Sequence, residues 1–259
     1  TALIVRAGPL RDAAIAALDI PVWRCGAVMG GAPPALADNA AANGVPTRWD
    51  GPDLRVPGEG VTDPVAMATA FAAEARRHGA QLSFGARVTD TLAGFTDVVN
   101  CAGLHADDVA RIFGDDSFAI RPRKGEFLVY RHDALREILL PVPSPTTKGV
   151  IVFPTLDGHT SCGPTAVDLE DKEDWTVREA ARETLQAAAG AALPDLAGLR
   201  PVFAYAGLRP AGVDGVNYVV GRSAYAPRLV NVAAIRSTCL LYTSPSPRDR
   251  TRSRMPSSA

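Results

Sequence analysis

The stretch FTDVVNCAGLHADDVARIFG, Phe95–Gly114, is the part of the sequence that predicts the fold most directly. Asp97–Cys101 is a short apolar run with the length and composition of a buried parallel strand. Ala102 and Gly103 turn the chain, and residues 105–108 open a segment with apolar positions at helical spacing. A strand that breaks at glycine into a helix brings backbone amides to a pyrophosphate in nucleotide-binding sheets. The same pattern occurs at ordinary α/β crossovers, so this stretch alone leaves both interpretations open.

Composition and charge exclude several classes of protein. With 259 residues and 47% hydrophobic content, the chain can bury one large core or two modest ones. The formal net charge of −1 gives no electrostatic basis for binding nucleic acid. The sequence contains no run of about 18 apolar residues, so we expect no transmembrane helix.

The cysteines and histidines show no ligand spacing. The four cysteines (Cys25, Cys101, Cys162, Cys239) lie far apart with no CxxC pair, which predicts a reducing compartment and neither a zinc site nor a disulfide framework. The four histidines form no HxxxH pattern, so no metal is expected. We predict a cytoplasmic protein, with peripheral attachment at the inner face of the membrane left open.

The two ends of the chain carry unusual sequence. Thr1 opens the chain without an initiator methionine. From Thr243 the apolar periodicity stops and the chain becomes rich in Ser, Pro and Arg, which is typical of a basic disordered tail. Cys239–Ala259 also back-translates to a transposase-type sequencing adapter. We therefore expect this segment to be non-native and disordered.

Before the Phe95–Gly114 stretch, the sequence predicts helices and short extended segments. Helices are predicted at residues 10–18, at Ala35–Asn43 before Gly44, and from the Asp63-Pro64 start to about His78. The last helix is expected to face inward through Val65, Ala68, Phe71, Ala72 and Ala75. A loop is predicted at Trp49–Gly60, and extended segments at Ile20–Arg24, Gly26–Met29, Gln81–Phe84 and Ala86–Val88.

After that stretch, β-rich segments bounded by proline and glycine predict an antiparallel sheet. These segments are Ile120–Tyr130, Glu137–Leu140, Gly149–Thr155 and His159–Pro164. A charged and then alanine-rich helix is predicted over Glu170–Ala189, followed by strands at Val202–Tyr205, Asn217–Val220 and Leu229–Val232. This order implies a nucleotide domain interleaved with a substrate domain.

Five short stretches follow one another in the order of a known enzyme family. They are Gly60–Pro64, Val98–Gly103, Arg121–Glu126, Lys148–Thr155 with Gly163–Thr165, and Ala206–Pro210 leading to Asn231–Thr238. Together they resemble the FAD-dependent oxidoreductases of the D-amino-acid oxidase superfamily, in particular its glycerol-3-phosphate dehydrogenase and L-2-hydroxyglutarate oxidase branch. The closing stretch departs from the family at Ala234 and at Cys239, where the family usually carries glycine.

The resemblance implies a mixed α/β (α+β) fold, in which an incomplete FAD-binding Rossmann-like domain is interleaved with an antiparallel-sheet substrate domain. The family's opening GxGxxG motif is not found in this sequence, which predicts an internal fragment with weak FAD binding. The implied division is a substrate-domain segment with connecting helices at 1–60, FAD-binding segments at 61–118 and 206–238, the antiparallel substrate domain at 119–205, and a non-native tail at 239–259.

The resemblance also implies the chemistry. In this family FAD takes a hydride from the carbon that bears a hydroxyl or amino group in a small anionic substrate, such as a 2-hydroxy acid or glycerol 3-phosphate. The electron acceptor is left open. Arg209 matches the family's substrate-binding position and is the catalytic candidate, because a planar guanidinium pairs bidentately with carboxylate or phosphate. The alternative for Arg209 is a surface ion pair.

Several other residues are assigned by the same resemblance. Val88 would flank the adenine, Ala102 and Gly103 would lie on the diphosphate side, and the loop of Arg236, Ser237 and Thr238 would direct backbone amides at the flavin. Lys124 and Lys148 are candidates for pairing with the substrate, although strand-end lysines are more often exposed. Tyr205 is either a pocket wall or core, and the sequence leaves this open.

Two other interpretations fit parts of the sequence. The turn Asn100–Gly103 is similar to the NAG turn of NAD-dependent short-chain dehydrogenases, but none of the five tyrosines has the lysine four residues later that those enzymes use for proton transfer. That interpretation is rejected. A truncated, non-catalytic fragment that does not bind FAD remains the alternative function.

Overall fold

The computed structural model describes residues 2–142, 149–216 and 218–235. Lys148, Arg236, Ser237, Thr238 and the predicted tail Cys239–Ala259 lie outside these residues. The helices are α1 (Ala2–Ala17), α2 (Pro34–Ala42), α3 (Pro64–Arg77), α4 (Ala106–Ile112) and α5 (Glu179–Ala192). The strands are β1 (Val22–Trp23), β2 (Ala27–Met29), β3 (Arg48–Asp50), β4 (Asp53–Val56), β5 (Val61–Thr62), β6 (Val98–Asn100), β7 (Ile120–Tyr130), β8 (Ile138–Leu139), β9 (Ile151–Pro154), β10 (Thr160–Gly163), β11 (Val167–Asp168), β12 (Phe203–Gly212), β13 (Val219–Arg222) and β14 (Leu229–Ala233).

The largest sheet has nine strands and is built around β7. One edge of β7 pairs with β12 over ten residue pairs, and the other edge pairs with β10 and β11. From β10 the sheet continues through β9, β8, β2, β4 and β3. Every neighbouring pair is antiparallel except β2 with β8. The predicted antiparallel sheet is confirmed, and β7 has the bounds expected from the sequence.

Two helices cover opposite faces of this sheet. Helix α5 packs Leu185 and Ala189 onto the buried side chains Leu128, Val152 and Cys162. Helix α2 packs on the other face at the far end of the sheet, where Leu36 contacts a cluster that includes Met29 and Leu54. The part of this second face formed by β7 and β12 is not covered by α2.

A second sheet of three strands has the order β13–β14–β6. Strands β6 and β14 run parallel, with Asn100 opposite Asn231, so their carboxyl ends lie at the same edge. Helix α4 packs against this sheet through Ala106 and Ala110, next to Leu229. The predicted parallel strand and the helix that follows it are confirmed, although Val99 is 59% exposed rather than buried.

Asp107, buried at the start of α4, joins the two sheets. It accepts hydrogen bonds from the backbone N–H of Ile120 (3.0 Å), from Lys172 Nζ (2.7 Å) and from Arg111 Nη2 (2.8 Å). Each partner lies on a different segment or turn: the start of β7, the loop before α5 and the next turn of α4. A buried carboxylate needs such donors to remain charged, so Asp107 fixes where β7 begins relative to the parallel strands.

Five local predictions were wrong. Trp49–Gly60 is not a loop, because β3 and β4 form a hairpin in which Leu54 and Val56 alternate inward. Helix α1 starts at Ala2 rather than residue 10. Helix α5 starts at Glu179 rather than Glu170, because the carboxylates of Asp171 and Asp174 accept backbone N–H groups two residues later and hold turns there.

The fourth and fifth wrong predictions concern α3 and the segment that follows it. The helix itself starts and ends as expected, with Asp63 accepting the N–H groups of residues 65 and 66. None of its residues is buried, however, and Val65 and Phe71 are 71% and 49% exposed. No strand forms between α3 and β6. A strand needs a partner to complete its ladder hydrogen bonds, and none of the described strands pairs with residues 81–88.

The domain division stays a prediction. Its proposed boundary at residue 206 falls inside β12, which pairs with β7 without interruption from Phe203 to Gly212.

Glu126 on the α5-covered face of β7 ties three segments together. Its carboxylate accepts Arg178 Nη2 (2.5 Å), the Arg178 backbone N–H (2.9 Å) and the Thr165 hydroxyl (2.7 Å). Burial alone would raise the pKa of Glu126, but the hydrogen bonds from Arg178 and Thr165 outweigh it and lower the pKa to about 2.

We predict that Glu126→Gln lowers the free energy of unfolding at pH 7 by about 2 kcal/mol, since hydrogen bonds to a charged group are removed. Because the folded pKa is depressed, this contribution is present above the unfolded value of about 4.3 and is lost as the pH falls towards 2. Urea unfolding at pH 7 and pH 3 measures it. Glu170→Gln is the control, because this exposed partner of Arg121 should change stability by less than about 0.5 kcal/mol. Equal losses in the two variants would contradict the prediction.

Candidate functional site

The uncovered side of the β7–β12 ladder carries a continuous row of side chains. Residues directly opposite in an antiparallel pair share a face, and so do alternate residues along a strand. The register therefore places three opposite pairs on one face, here called the open face: Arg123–Arg209, Gly125–Gly207 and Phe127–Tyr205.

Arg209 is held across the open face by backbone carbonyls. Its Nε donates to the carbonyl of Arg123 (3.2 Å), and its Nη2 donates to those of Lys124 (3.3 Å) and Thr165 (2.8 Å). These three bonds orient the plane of the guanidinium. The substrate-binding role of Arg209 stays a prediction.

The glycine pair gives Arg209 room. A Cβ on Gly125 would lie 3.3 Å from Arg209 Nη2 and 2.8 Å from Pro164 Cβ, so the guanidinium passes over a position that only glycine leaves free. A Cβ on Gly207 would meet no atom within 4 Å, so the space above that residue is open. At Gly207 the open face therefore presents bare backbone near the fixed cation of Arg209.

The structure corrects the prediction for Lys124. Its ladder partner is Leu208, so it lies on the face opposite to Arg209. The side chain is fully buried, and Nζ contacts the Asp174 carboxylate at 2.7 Å and the Thr176 carbonyl at 3.0 Å. It is neither the exposed lysine nor the substrate ligand considered from the sequence. Lys124 holds the loop before α5 onto the sheet.

The edge at the carboxyl ends of β6 and β14 is the second part of the site. Asn100 donates to the carbonyl of Ala106 (2.7 Å) and to Asn231 Oδ1 (2.9 Å), and its own Oδ1 accepts the N–H of Ala102 (3.2 Å). Asn231 donates in turn to Asp115 (3.1 Å). This buried amide network shapes the turn at Ala102 and holds the two strand ends together.

The backbone conformation at this edge explains one departure in the sequence. Gly103 has φ +58°, and a Cβ there would meet no atom within 4 Å. Ala234 is fully buried and has φ +52°, a left-handed conformation that favours glycine. The chain thus adopts at Ala234 the geometry for which glycine is expected, with an alanine in its place.

Val88 and two histidines lie outside the two parts of the site described above. Val88 is half-buried in an irregular segment, and its role beside the adenine stays a prediction. His105 Nδ1 lies 3.0 Å from Asp108 and does not cap the helix with its side chain. His159 lies in the β9–β10 hairpin, with its N–H donating to Thr155 Oγ1.

The chain was compared with protein-family models, with characterised proteins and with solved structures. A family model described as FAD dependent oxidoreductase matches residues 6–243. The chain belongs to the FAD-dependent oxidoreductases. It is 29% identical over 143 residues to glycerol 3-phosphate dehydrogenase from Caloramator mitchellensis, which covers 54% of this chain and 30% of that protein. It is 33% identical over 125 residues to glycine oxidase from Pseudomonas aeruginosa, covering 47% and 32%.

The fold of this FAD-dependent oxidoreductase is also shared. A structure of L-alpha-glycerophosphate oxidase from Mycoplasma pneumoniae with FAD bound aligns with a TM-score of 0.73 and 21% identity, over 86% of this chain and 70% of that one. The predicted superfamily, mixed fold and cofactor are thereby confirmed. The chain spans about a third of the length of the curated relatives it matches.

Metal-binding clusters and membrane-spanning helices are both absent from the described residues. Across 2–142, 149–216 and 218–235, no cluster of histidine, cysteine, aspartate or glutamate could hold a metal ion. None of the helices in these ranges is long and apolar enough to cross a membrane.

We predict that Lys124→Met lowers the free energy of unfolding by about 2 kcal/mol, because Asp174 and the Thr176 carbonyl lose a charged donor. Urea unfolding monitored by tryptophan fluorescence measures the change. Arg121→Met serves as the control, since its exposed pair with Glu170 should contribute less than about 1 kcal/mol. A destabilisation no larger than that of the control would show that Lys124 does not anchor the loop.

We predict different effects for glycine at two adjacent buried alanines. Ala234→Gly relieves a left-handed strain of about 1–2 kcal/mol, which offsets the lost methyl group and the entropy that glycine adds to the unfolded state, so stability should change by less than about 0.5 kcal/mol. Ala233→Gly, inside β14, only removes a methyl group and gains backbone entropy in the unfolded state, so stability should fall by about 1.5 kcal/mol. Thermal unfolding of both variants tests this. If Ala234→Gly destabilises as much as Ala233→Gly, the strain at Ala234 is absent.

Proposed function

We propose that this protein is an FAD-dependent dehydrogenase or oxidase. Its substrate is a small anionic molecule, such as a 2-hydroxy acid, an amino acid or glycerol 3-phosphate. The hydride leaves the carbon that bears the hydroxyl or amino group. The observation that carries the proposal is Arg209, a guanidinium fixed by three carbonyls beside the open space over Gly207.

The residues at the carboxyl edge of β6 and β14 fit the cofactor. Ligands of parallel sheets bind outside the carboxyl ends of the strands, where backbone N–H groups are accessible. Here Gly103 turns with a positive φ into open space, and Asn100 fixes the amide of Ala102 that precedes it. Ala102 and Gly103 would hold the diphosphate side, together with Arg236, Ser237 and Thr238 on the flavin. Bound FAD supplies the hydride acceptor.

The chain's own residues then bind and orient the substrate. Arg209 pairs with the carboxylate or phosphate, as planar guanidinium groups do. Gly207 leaves the backbone bare, so the substrate carbon can approach the sheet closely. Because the guanidinium is already held by the sheet, it loses little further freedom when the anion binds, which favours a defined orientation.

The named substrates of the relatives support an anionic substrate. Glycerol 3-phosphate dehydrogenase and glycine oxidase are both among the matched proteins. Glycerol 3-phosphate and glycine differ in the group that is oxidised, but each carries an anionic end. Arg209 on the open face suits both classes.

We expect both Arg209→Lys and Arg209→Ala to lower kcat/KM in the FAD-loaded protein. Each charge-assisted hydrogen bond to the substrate that the variant cannot form should lower kcat/KM by about 10- to 150-fold. Lysine keeps the charge but lacks the planar fork, and alanine lacks both. Turnover is measured with an artificial electron acceptor over a panel of 2-hydroxy acids, amino acids and glycerol 3-phosphate, and the flavin absorption spectrum should not change.

Arg121→Ala is the control for this experiment, because Arg121 lies on the same side of β7 and pairs with Glu170 at the surface. Its kinetics should match the wild type. Wild-type turnover by Arg209→Ala would overturn the anion-binding role. A protein that takes up no FAD would favour the non-catalytic alternative.

A further inference from the structure

We propose that the substrate carries an apolar, preferably planar, side chain, and that Tyr205 with Phe127 forms the surface that selects it. This inference rests on the proposed function and names its substrate class more narrowly. The relevant acids are 2-amino or 2-hydroxy acids with a phenyl-like group, rather than glycine or glycerol 3-phosphate.

The two rings form a rigid platform on the open face. Their centroids lie 4.9 Å apart and their planes differ by 6°, which is a stacked pair. The ring of Phe153 supports Phe127 edge-on at 6.4 Å, and Phe153 packs in turn against the α2 core. Tyr205 nevertheless remains 39% exposed and Phe203, stacked beside it, is 63% exposed. A preorganised aromatic surface that keeps this much exposure can bind a further ring.

The platform lies at the right distance from the cation. Arg209 Nη2 passes over Gly125, and Phe127 is the next residue along β7 on the same face. Two residues of strand span roughly 6.7 Å. A carboxylate hydrogen-bonded to the guanidinium would therefore place a side chain of one to three carbons at the rings. The bare backbone of Gly207 leaves that path open.

The opposite direction along the sheet does not suit a second anion. There a cavity of about 180 Å³ is lined by Arg121, Arg123 and Asp168. Both guanidiniums are already paired, Arg123 with Asp168 at 2.8 Å and Arg121 with Glu170 at 3.0 Å. A dicarboxylate would have to displace these carboxylates. The aromatic side of Arg209 is therefore the favoured place for the rest of the substrate.

Binding of two simple carboxylates tests the platform without turnover. Propanoate and 3-phenylpropanoate carry the same charge and differ only in the phenyl ring. We expect 3-phenylpropanoate to bind the wild type roughly 10-fold more tightly, measured by calorimetry. Tyr205→Ala should remove most of this ratio, and Tyr205→Phe should keep it. Tyr225→Ala, an equally drastic change at an exposed tyrosine between β13 and β14, should leave it unchanged.

Turnover separates this inference from the proposed function. Phenylalanine and 3-phenyllactate are compared with alanine and lactate, and Tyr205→Ala should lower kcat/KM roughly 10-fold for the phenyl compounds alone. Loss of turnover in Arg209→Ala with an unchanged phenyl preference in Tyr205→Ala would overturn the platform and retain the anion site. If Arg209→Ala affects neither binding nor turnover, the proposed function fails first.

Discussion

The ladder between β7 and β12 is the constraint on which the rest of the structure depends. Its ten residue pairs set which side chains of β7 lie together, and a shift of one residue would exchange the two faces. The present register places Lys124 and Glu126 beneath the loop before α5 and leaves Arg209 on the other side. The chain therefore separates the groups that hold the sheet from the groups available to a ligand.

The strength of this separation comes from two buried charges on β7, each paired with a partly exposed partner. Glu126 with Arg178 and Lys124 with Asp174 attach the segment before α5 to β7 at neighbouring alternate positions. Asp107 attaches the same segment to α4 through Lys172, and also fixes the start of β7 through Ile120. Asp107 thus connects the antiparallel sheet to the helix that packs on the parallel strands, through β7 itself and through the loop that Glu126 and Asp174 attach to β7. The turn at Ala102 is consequently held in a fixed relation to the open face.

Much of the fold could be predicted from local sequence patterns. The features that could not be predicted depend on contacts with residues distant in sequence. The alternation in Ile120–Tyr130 predicts β7 with its observed bounds, and the Asp63-Pro64 start predicts α3. The same alternation already places residues 123 and 124 on opposite faces, so the placement of Lys124 was accessible from the sequence. Residues 81–88 have a strand-like composition, but a strand also requires a neighbour, and no local pattern reports one. The apolar residues of α3 are exposed for the same reason, because helical spacing does not report whether another segment covers the helix.

The candidate site was predictable at Arg209 only through resemblance, since no spacing rule reveals that two glycines lie opposite each other at its side.

The alternation along β7 also affects how such an enzyme can diverge. Positions beneath α5 are linked by buried charges, so single changes there reduce the amount of folded protein before they change any chemistry. Partly exposed positions on the other face, such as Phe127, contribute less to folding and can vary more freely, whereas Gly125 is fixed by Pro164 and Arg209. A lineage carrying this strand could therefore explore new substrates by mutating such alternate codons while the intervening codons stay under purifying selection. Substrate diversity among proteins of one fold then has a simple physical origin, the two-residue period of a β-strand.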